Sequence, residues 1–370
     1  MIERAKILSV VTLLALFSYV IVSVSGISST IQPSSQDTLI SSMFTGLNYG
    51  GAGELIVYAT NSTWNYRVLV QFDLSSIPPG STVTSATLKL NYYRWATNDP
   101  AGRTLWANRL TQSWTEMGVT WSRYDGTNLW SNPGGDYDLG DSASATVPSS
   151  FGWMTWTVTD IFKAWVEDSE PNYGFLIKEE AEGAVSASYM AYFYSREYEE
   201  TELQPILEID YTPPSTIESC DSFGTTKDTF DPGNNVYVKG SIPNQLSLNI
   251  QSMNTRAYPI YVVEDSSWSD DMPIPPRVPG TEIYVTPDIS GNIDPTLVWN
   301  TPLTSGKYDI VVDVNNNGFY DVGIDALDDS DIEVTAGFFV IPEFWLGTIL
   351  GLAGCFAAFG VFHVSKRKHQ

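Results

Sequence analysis

The chain of 370 residues carries 43 Asp and Glu against 19 Lys and Arg, a formal net charge of −24. A field of that sign repels nucleic acid and acidic membrane surfaces, which excludes nucleic-acid binding. The two histidines, His363 and His369, and the two cysteines, Cys220 and Cys355, leave the bulk of the chain without imidazole and without a thiol pair. That excludes Ser-His-Asp and Cys-His catalysis, histidine-bound metals and a disulfide framework.

At the amino terminus Glu3, Arg4 and Lys6 precede an apolar run over 7–22 and small residues over 23–28. This layout predicts a secretory signal peptide, residues 1–26, cleaved near Gly26. An uncleaved anchor is the alternative, although the run is shorter than the ~20 residues of a spanning helix.

Residues 37–212 are rich in Thr, Ser, Tyr and Trp and break into short alternating segments. In 66–72, Tyr66, Val68, Val70 and Phe72 alternate with Arg67, Leu69 and Gln71; in 86–93, Ala86, Leu88, Leu90 and Tyr92 alternate with Thr87, Lys89, Asn91 and Tyr93. The period of two predicts two strands, each burying one face, joined as a hairpin through Pro78-Pro79-Gly80. Further segments over 55–59, 105–110, 174–179 and 188–194 make the whole an all-β sandwich rather than a βαβ array. One short helix is expected after Asp160 as N-cap, with Ile161, Phe162, Ala164 and Trp165 covering an open end.

Aromatic residues are the first candidate chemistry. Sugar rings present apolar CH faces that stack on indoles, and their hydroxyls need neighbouring Arg, Asp and Asn; the other use of such residues is a sandwich core. Trp114, Trp121 and Trp165 read as packing. Trp64, Trp95, Trp106 and Trp130 lie in or near loops, Trp95 beside Arg94 and Trp106 close to Arg103, and these six are the candidate carbohydrate contacts. Asn61-Ser62-Thr63 is a glycosylation sequon that suits a surface loop.

Several phrases recur here in a fixed order: NYG at 48–50, QFDLSSIPPGSTVTSATLKL at 71–90, SWTEMGVTW at 113–121, VTDIFKAW at 158–165, NYG at 172–174 and YSREYEETELQPILEIDY at 194–211. Together they resemble the DNRLRE domain, also called the disaggregatase-related repeat and related to carbohydrate-binding module family 96. The resemblance implies a jelly-roll β-sandwich of the kind found on surface and secreted proteins of archaea and bacteria. It also implies a cell-wall or extracellular polysaccharide as partner, and it does not imply catalysis.

Thr212-Pro213-Pro214-Ser215 marks a stiff linker over 213–216. A second alternating set follows within 217–341, at 236–238, 246–250, 260–263, 283–285 and 308–314, and an immunoglobulin-like sandwich of about seven strands is expected. Within it, Asp313-Val-Asn315-Asn316-Asn317-Gly318-Phe319-Tyr320-Asp321 has the D-x-N-x-N-G pattern of a calcium loop. By that spacing Asp313, Asn315 and Asn317 are ligands, Phe319 offers its carbonyl, and Asp321 acts directly or through water. The position of the bidentate Glu holds Ile324, with Asp325 as the substitute, and the flanks read as strand, so the expectation is calcium between strands or an Asx-rich turn without metal.

An apolar segment over 344–364 is followed by Lys366, Arg367 and Lys368. It predicts one transmembrane helix with the basic tail 365–370 in the cytoplasm and both sandwiches outside the cell. With Pro342-Glu343-Phe344 before it, the segment also resembles a sorting signal removed by a sortase-like enzyme. Three function classes follow: an anchored carbohydrate-binding or adhesion protein, a structural envelope protein stabilised by calcium, and a polysaccharide-cleaving hydrolase or lyase. The last needs two facing carboxylates ~5–10 Å apart, and although Glu116 is a candidate no phrase supplies its mate.

Overall fold

The computed structural model describes residues 26–60, 62–167, 170–243, 256–288, 290–328 and 336–342. The expected leader, the 344–364 span, the basic tail, the sequon Asn61 and the expected strand 246–250 lie outside the described residues. Among the described residues no helix is long and apolar enough to cross a membrane.

The first domain has eleven strands: β1 (Ile27–Ile31), β2 (Gln36–Ser41), β3 (Glu54–Ala59), β4 (Tyr66–Gln71), β5 (Thr82–Thr97), β6 (Thr104–Leu110), β7 (Tyr137–Thr146), β8 (Gly152–Thr157), β9 (Phe175–Glu179), β10 (Tyr189–Tyr194) and β11 (Ile206–Thr212). All pairings are antiparallel. One run is β2-β4-β9-β6-β7. The other is built on β5, whose first part pairs with β11 and β8 and whose end pairs with β10, followed by β3, while β1 lies beside β11. A single pair, Tyr58 with Tyr66, joins the runs into one curled sheet. Because β1 is part of this sheet, the domain begins upstream of the expected residue 37.

Between the runs lies the core. Val68, Val70, Leu105, Ala107, Phe175 and Ile177 face Leu88, Leu90, Tyr92, Met154, Trp156, Phe193 and Leu207. The expected hairpin does not form: β4 and β5 belong to different runs, and the Pro-Pro-Gly turn carries the chain across the sandwich. Alternation identifies the face a strand buries but not its neighbour, and here the two apolar faces meet across the core rather than lying side by side. Nor is β4 buried on one face only. Leu69 is fully buried against Ile40, Leu110, Trp114, Val119, Trp130 and Leu176, a second core in which the long 111–136 loop covers the outer surface of β2-β4-β9.

The short helix α1 (Thr159–Val166) buries Ile161, Phe162, Ala164 and Trp165 as expected. Its N-cap is Val158, not Asp160, and no side chain caps it. The Thr159 hydroxyl is turned to the sheet, where it accepts the Ala86 N–H at 3.1 Å, and Asp160 sits in the first turn, where its charge suits the positive end of the helix.

The second domain contains β12 (Thr216–Cys220), β13 (Thr229–Phe230), β14 (Val236–Ser241), β15 (Tyr258–Glu264), β16 (Met272–Pro273), β17 (Tyr284–Val285), β18 (Asn292–Trp299), β19 (Gly306–Val312), β20 (Phe319–Tyr320), β21 (Ala326–Asp328) and β22 (Phe338–Val340). They form a sheet β12-β14-β18, a sheet β13-β22-β19-β15-β17 with β21 also on β19, and the pair β16-β20. Strand β18 was hidden in the sequence by Pro295. It is an edge strand, and the ladder with β14 is irregular between Val238 and Gly240, opposite the proline, so the missing N–H costs no central hydrogen bond. Ile217, Val236, Ile260, Val298, Ile310 and Phe338 share the core. Cys220 is buried, and that burial pushes its thiol up to about 11, so it packs as a small apolar residue.

Candidate functional site

The two NYG segments meet parts of the 113–121 and 194–211 phrases at one end of the first sandwich. Both NYG segments make the same clamp. Asn48 donates its amide to the carbonyls of Glu116 and Val119, each at 2.7 Å, while its own side-chain oxygen accepts the Gly50 N–H at 3.1 Å. Asn172 donates to the Phe72 carbonyl at 2.9 Å and accepts the Gly174 N–H at 3.0 Å. Gly50 runs against the Glu116 backbone and Gly174 against Val70 and Gln71, so each glycine is set by close approach.

The Asn48 clamp holds Glu116 over Asp37, at the start of β2. Glu116 accepts the Asp37 N–H at 2.9 Å and an Arg196 guanidinium hydrogen bond at 3.1 Å; Asp37 accepts the Ser34 hydroxyl at 2.6 Å and the Arg196 N–H at 3.0 Å, both on one oxygen. The more exposed Glu197 completes the group, and one carboxylate oxygen from each of Asp37, Glu116 and Glu197 lies within 4.8 Å of the others. Burial, with Glu197 and Glu116 nearby, pushes the Asp37 carboxyl up to about 7 against the pull of its hydrogen bonds. Burial also raises Glu197, and Glu116 adds to that.

On the outer surface of β4, three residues along the strand from the partner of Asp37, Arg67 braces the 111–136 loop. It pairs with Glu182 through two nitrogens, donates to the Gly134 carbonyl at 2.8 Å, and lies 4.9 Å from the Trp121 ring centroid. Lysine reproduces the charge but neither the fork nor the stacking. Arg67→Lys is expected to lower first-domain stability by about 1–2 kcal/mol in urea unfolding, with no loss at Arg123, whose side chain bonds only within its own turn.

The opposite end of the sandwich is open and lined by loops 60–65, 98–103, 147–151 and 180–188. Three of the six candidate carbohydrate contacts gather here. Trp95 is paired with Ala191, so it shares the inward face of the sheet, but it stands beyond the core and is 41% exposed. Trp64, 49% exposed, projects from a loop held by Thr60 and Ser62. Arg103, from the facing run, is ion-paired to Glu179, and its guanidinium lies 5.0 Å from the Tyr189 ring. Phe151, 59% exposed, meets Tyr92 edge-on at 5.2 Å. Two buried polar atoms at this end have no hydrogen-bond partner, the Tyr92 hydroxyl and the Arg103 Nε. Burial, with Asp99 nearby, pushes the Tyr92 hydroxyl up to about 12.

The other three candidates lie elsewhere. Adjacent strand residues face opposite ways, so Arg94 points outward beside Trp95, 4.0 Å from the Tyr192 ring and ion-paired to Glu54 at 3.3 Å. Trp106 is on the outer wall, since its neighbours Leu105 and Ala107 fill the core. Trp130 is buried at 3% exposure, with its indole N–H on the Thr120 carbonyl at 3.0 Å, and is packing rather than a loop contact. Sequence reasoning missed a ladder on the outer face, Tyr93 on Tyr194 at 4.0 Å and Tyr194 on Tyr198 at 3.8 Å. The spacing of Tyr192, Tyr194 and Tyr198 carried its signal. These rings use their faces on one another, which makes the ladder a brace rather than a sugar platform.

In the second domain the 313–325 loop brings its six candidate residues together but closes on itself. Asp313 accepts the N–H groups of Asn317 at 3.1 Å and Gly318 at 2.9 Å, and Asp325 those of Val314 at 2.7 Å and Asp321 at 2.8 Å. Asn315 and Asn317 both donate to Asp321 at 2.7 Å, and the Phe319 N–H bonds to Asn317 at 2.8 Å. This is the hydrogen-bond pattern of an Asx-rich turn. Burial pushes the Asp325 carboxyl up to about 6.

A comparison with curated proteins returns no match. Residues 28–211 match the family model of Carbohydrate-binding module family 96, a span that includes both the clamped end and the open end and stops before the second sandwich. That match places the first domain in a carbohydrate-binding module family.

Proposed function

We propose that this is a non-catalytic, cell-surface carbohydrate-binding protein that holds polysaccharide at the open end of its first domain, a jelly-roll module of the DNRLRE type. One observation carries the site. The Tyr92 hydroxyl and Arg103 Nε are buried without partners at an end where Trp64, Trp95, Tyr189 and Phe151 offer ring faces. Stacking surfaces with a few fixed polar groups among them are what a sugar needs. The surface location rests on the apolar run over 7–22, the 344–364 segment and the basic residues after it, with the second sandwich, immunoglobulin-like, as spacer. The net charge of −24 favours a neutral polymer, or an acidic one bridged by cations.

Affinity electrophoresis in polysaccharide gels and a glycan array test the reading. Trp95→Ala and Trp64→Ala are each expected to weaken retention by ~10-fold or more, about 1.4 kcal/mol, while Trp106→Ala and Arg94→Gln leave it unchanged. Retention lost in the second pair and kept in the first would move the site to the outer wall. No reducing ends are expected from the bound polymer.

A further inference from the structure

We propose that Asp37, Glu116 and Glu197 form a binding site for a hard divalent cation, of calcium type, at the clamped end of the first domain. Three carboxylates brought within 4.8 Å of one another would not by themselves make a site. The second observation is Asp37 Oδ1. Asp37 is 1% exposed, its Oδ2 takes both the Ser34 hydroxyl and the Arg196 N–H, and Oδ1 has no partner at all. A buried carboxylate oxygen is costly to leave unbonded, so Oδ1 of a residue grouped with Glu116 and Glu197 calls for a positive ligand.

Charge and donor type agree. Arg196 lies within the group, bonded to Glu116 at 3.1 Å and 4.0 Å from Glu197, and with all three carboxylates ionised this one guanidinium leaves an excess of two negative charges. A divalent ion cancels that excess. The donors are all oxygens, with neither sulfur nor imidazole, which selects calcium or magnesium over zinc or copper. Glu197 is exposed, so the ion has an entry path, and water completes its coordination. The three ligands come from β2, from the 111–136 loop and from the segment after β10, so the ion would tie together three remote pieces of chain.

The test uses the full chain, stripped with chelator and titrated with calcium chloride and, separately, magnesium chloride, with first-domain thermal unfolding as readout. Calcium is expected to raise the wild-type midpoint at up to millimolar concentration. Glu197→Gln, a surface change with little risk to folding, should need ~10-fold more calcium for the same rise, and Asp37→Asn should abolish it. Asp321→Asn, in the acidic turn of the second domain, should respond as wild type. A wild type indifferent to both ions overturns the proposal, as does an unaltered calcium response in Glu197→Gln. An effect confined to Asp321→Asn would place the ion in the second domain instead.

Discussion

Replacing Gly174 with alanine is expected to lower the stability of the first domain by about 2–4 kcal/mol, from a left-handed backbone and a steric overlap acting together. Gly174 has φ +84°, where an L side chain is strained, and a Cβ there would fall on the Val70 carbonyl oxygen and 2.8 Å from Gln71 Cα. Neither neighbour can yield: Val70 is fully buried in β4, and Gln71 donates its amide to the Asn172 carbonyl at 2.8 Å. Relief therefore has to come from Gly174 itself, which opens the Asn172 clamp and exposes the start of β9. Gly51→Ala, where nothing lies within 4 Å of the added carbon, is the control and should change stability by less than ~0.5 kcal/mol. Equal urea midpoints for the two variants would show that the second NYG segment does not hold this end.

Stability of the second domain is expected to fall as pH rises from about 4 to about 7, and Asp328→Asn should remove the largest single part of that slope. Asp328 is 8% exposed and accepts the Ser219 N–H at 2.8 Å; burial pushes its carboxyl from 3.8 up to about 7. In the unfolded chain it ionises at its ordinary value. Between the two values the native state holds a proton that the unfolded state has released, so the native state is favoured at the acid end and loses that advantage as pH rises through 7. At 1.36 kcal/mol per unit the full span is about 4 kcal/mol. Asp325, raised to about 6, and Asp309, also raised by burial, work in the same direction, so a reduced slope remains in the variant. The measurement is the denaturant midpoint of the second-domain transition in the full chain at pH 4.5, 6 and 7.5. A wild-type midpoint that is flat or rises with pH refutes the assignment.

How much of this was legible in the chain depends on which residues carried it. Alternation in 66–72 and 86–93 found the residues that face the core, yet Leu69 shows that the pattern cannot reveal a loop folded over the outer side. The same pattern could not say that β4 and β5 lie across from one another, because neighbours in a sheet are chosen by the whole topology. Trp95 and Trp64 are exposed, as their places in or near loops predict, and Arg103 stands at the same end of the sandwich. Trp130 failed by the same rule, since the 111–136 loop has a core of its own. The Asp37, Glu116 and Glu197 group was out of reach, for Glu116 and Glu197 come from two phrases far apart in the chain, Asp37 belongs to none, and the three meet only in the folded domain. The order of the phrases was the trace it left.

Strand β22 has a mechanical consequence. It is inserted between β13, to which it runs parallel, and β19, to which it runs antiparallel, and Phe338 within it packs on Phe230 and Tyr308. Ile341 extends that grip by donating its N–H to the Phe230 carbonyl at 3.0 Å. Tension on the chain beyond Pro342 is therefore delivered to a strand gripped along both edges rather than to one that can peel from the rim. Extraction must break two ladders and pull an aromatic ring from the core in one event.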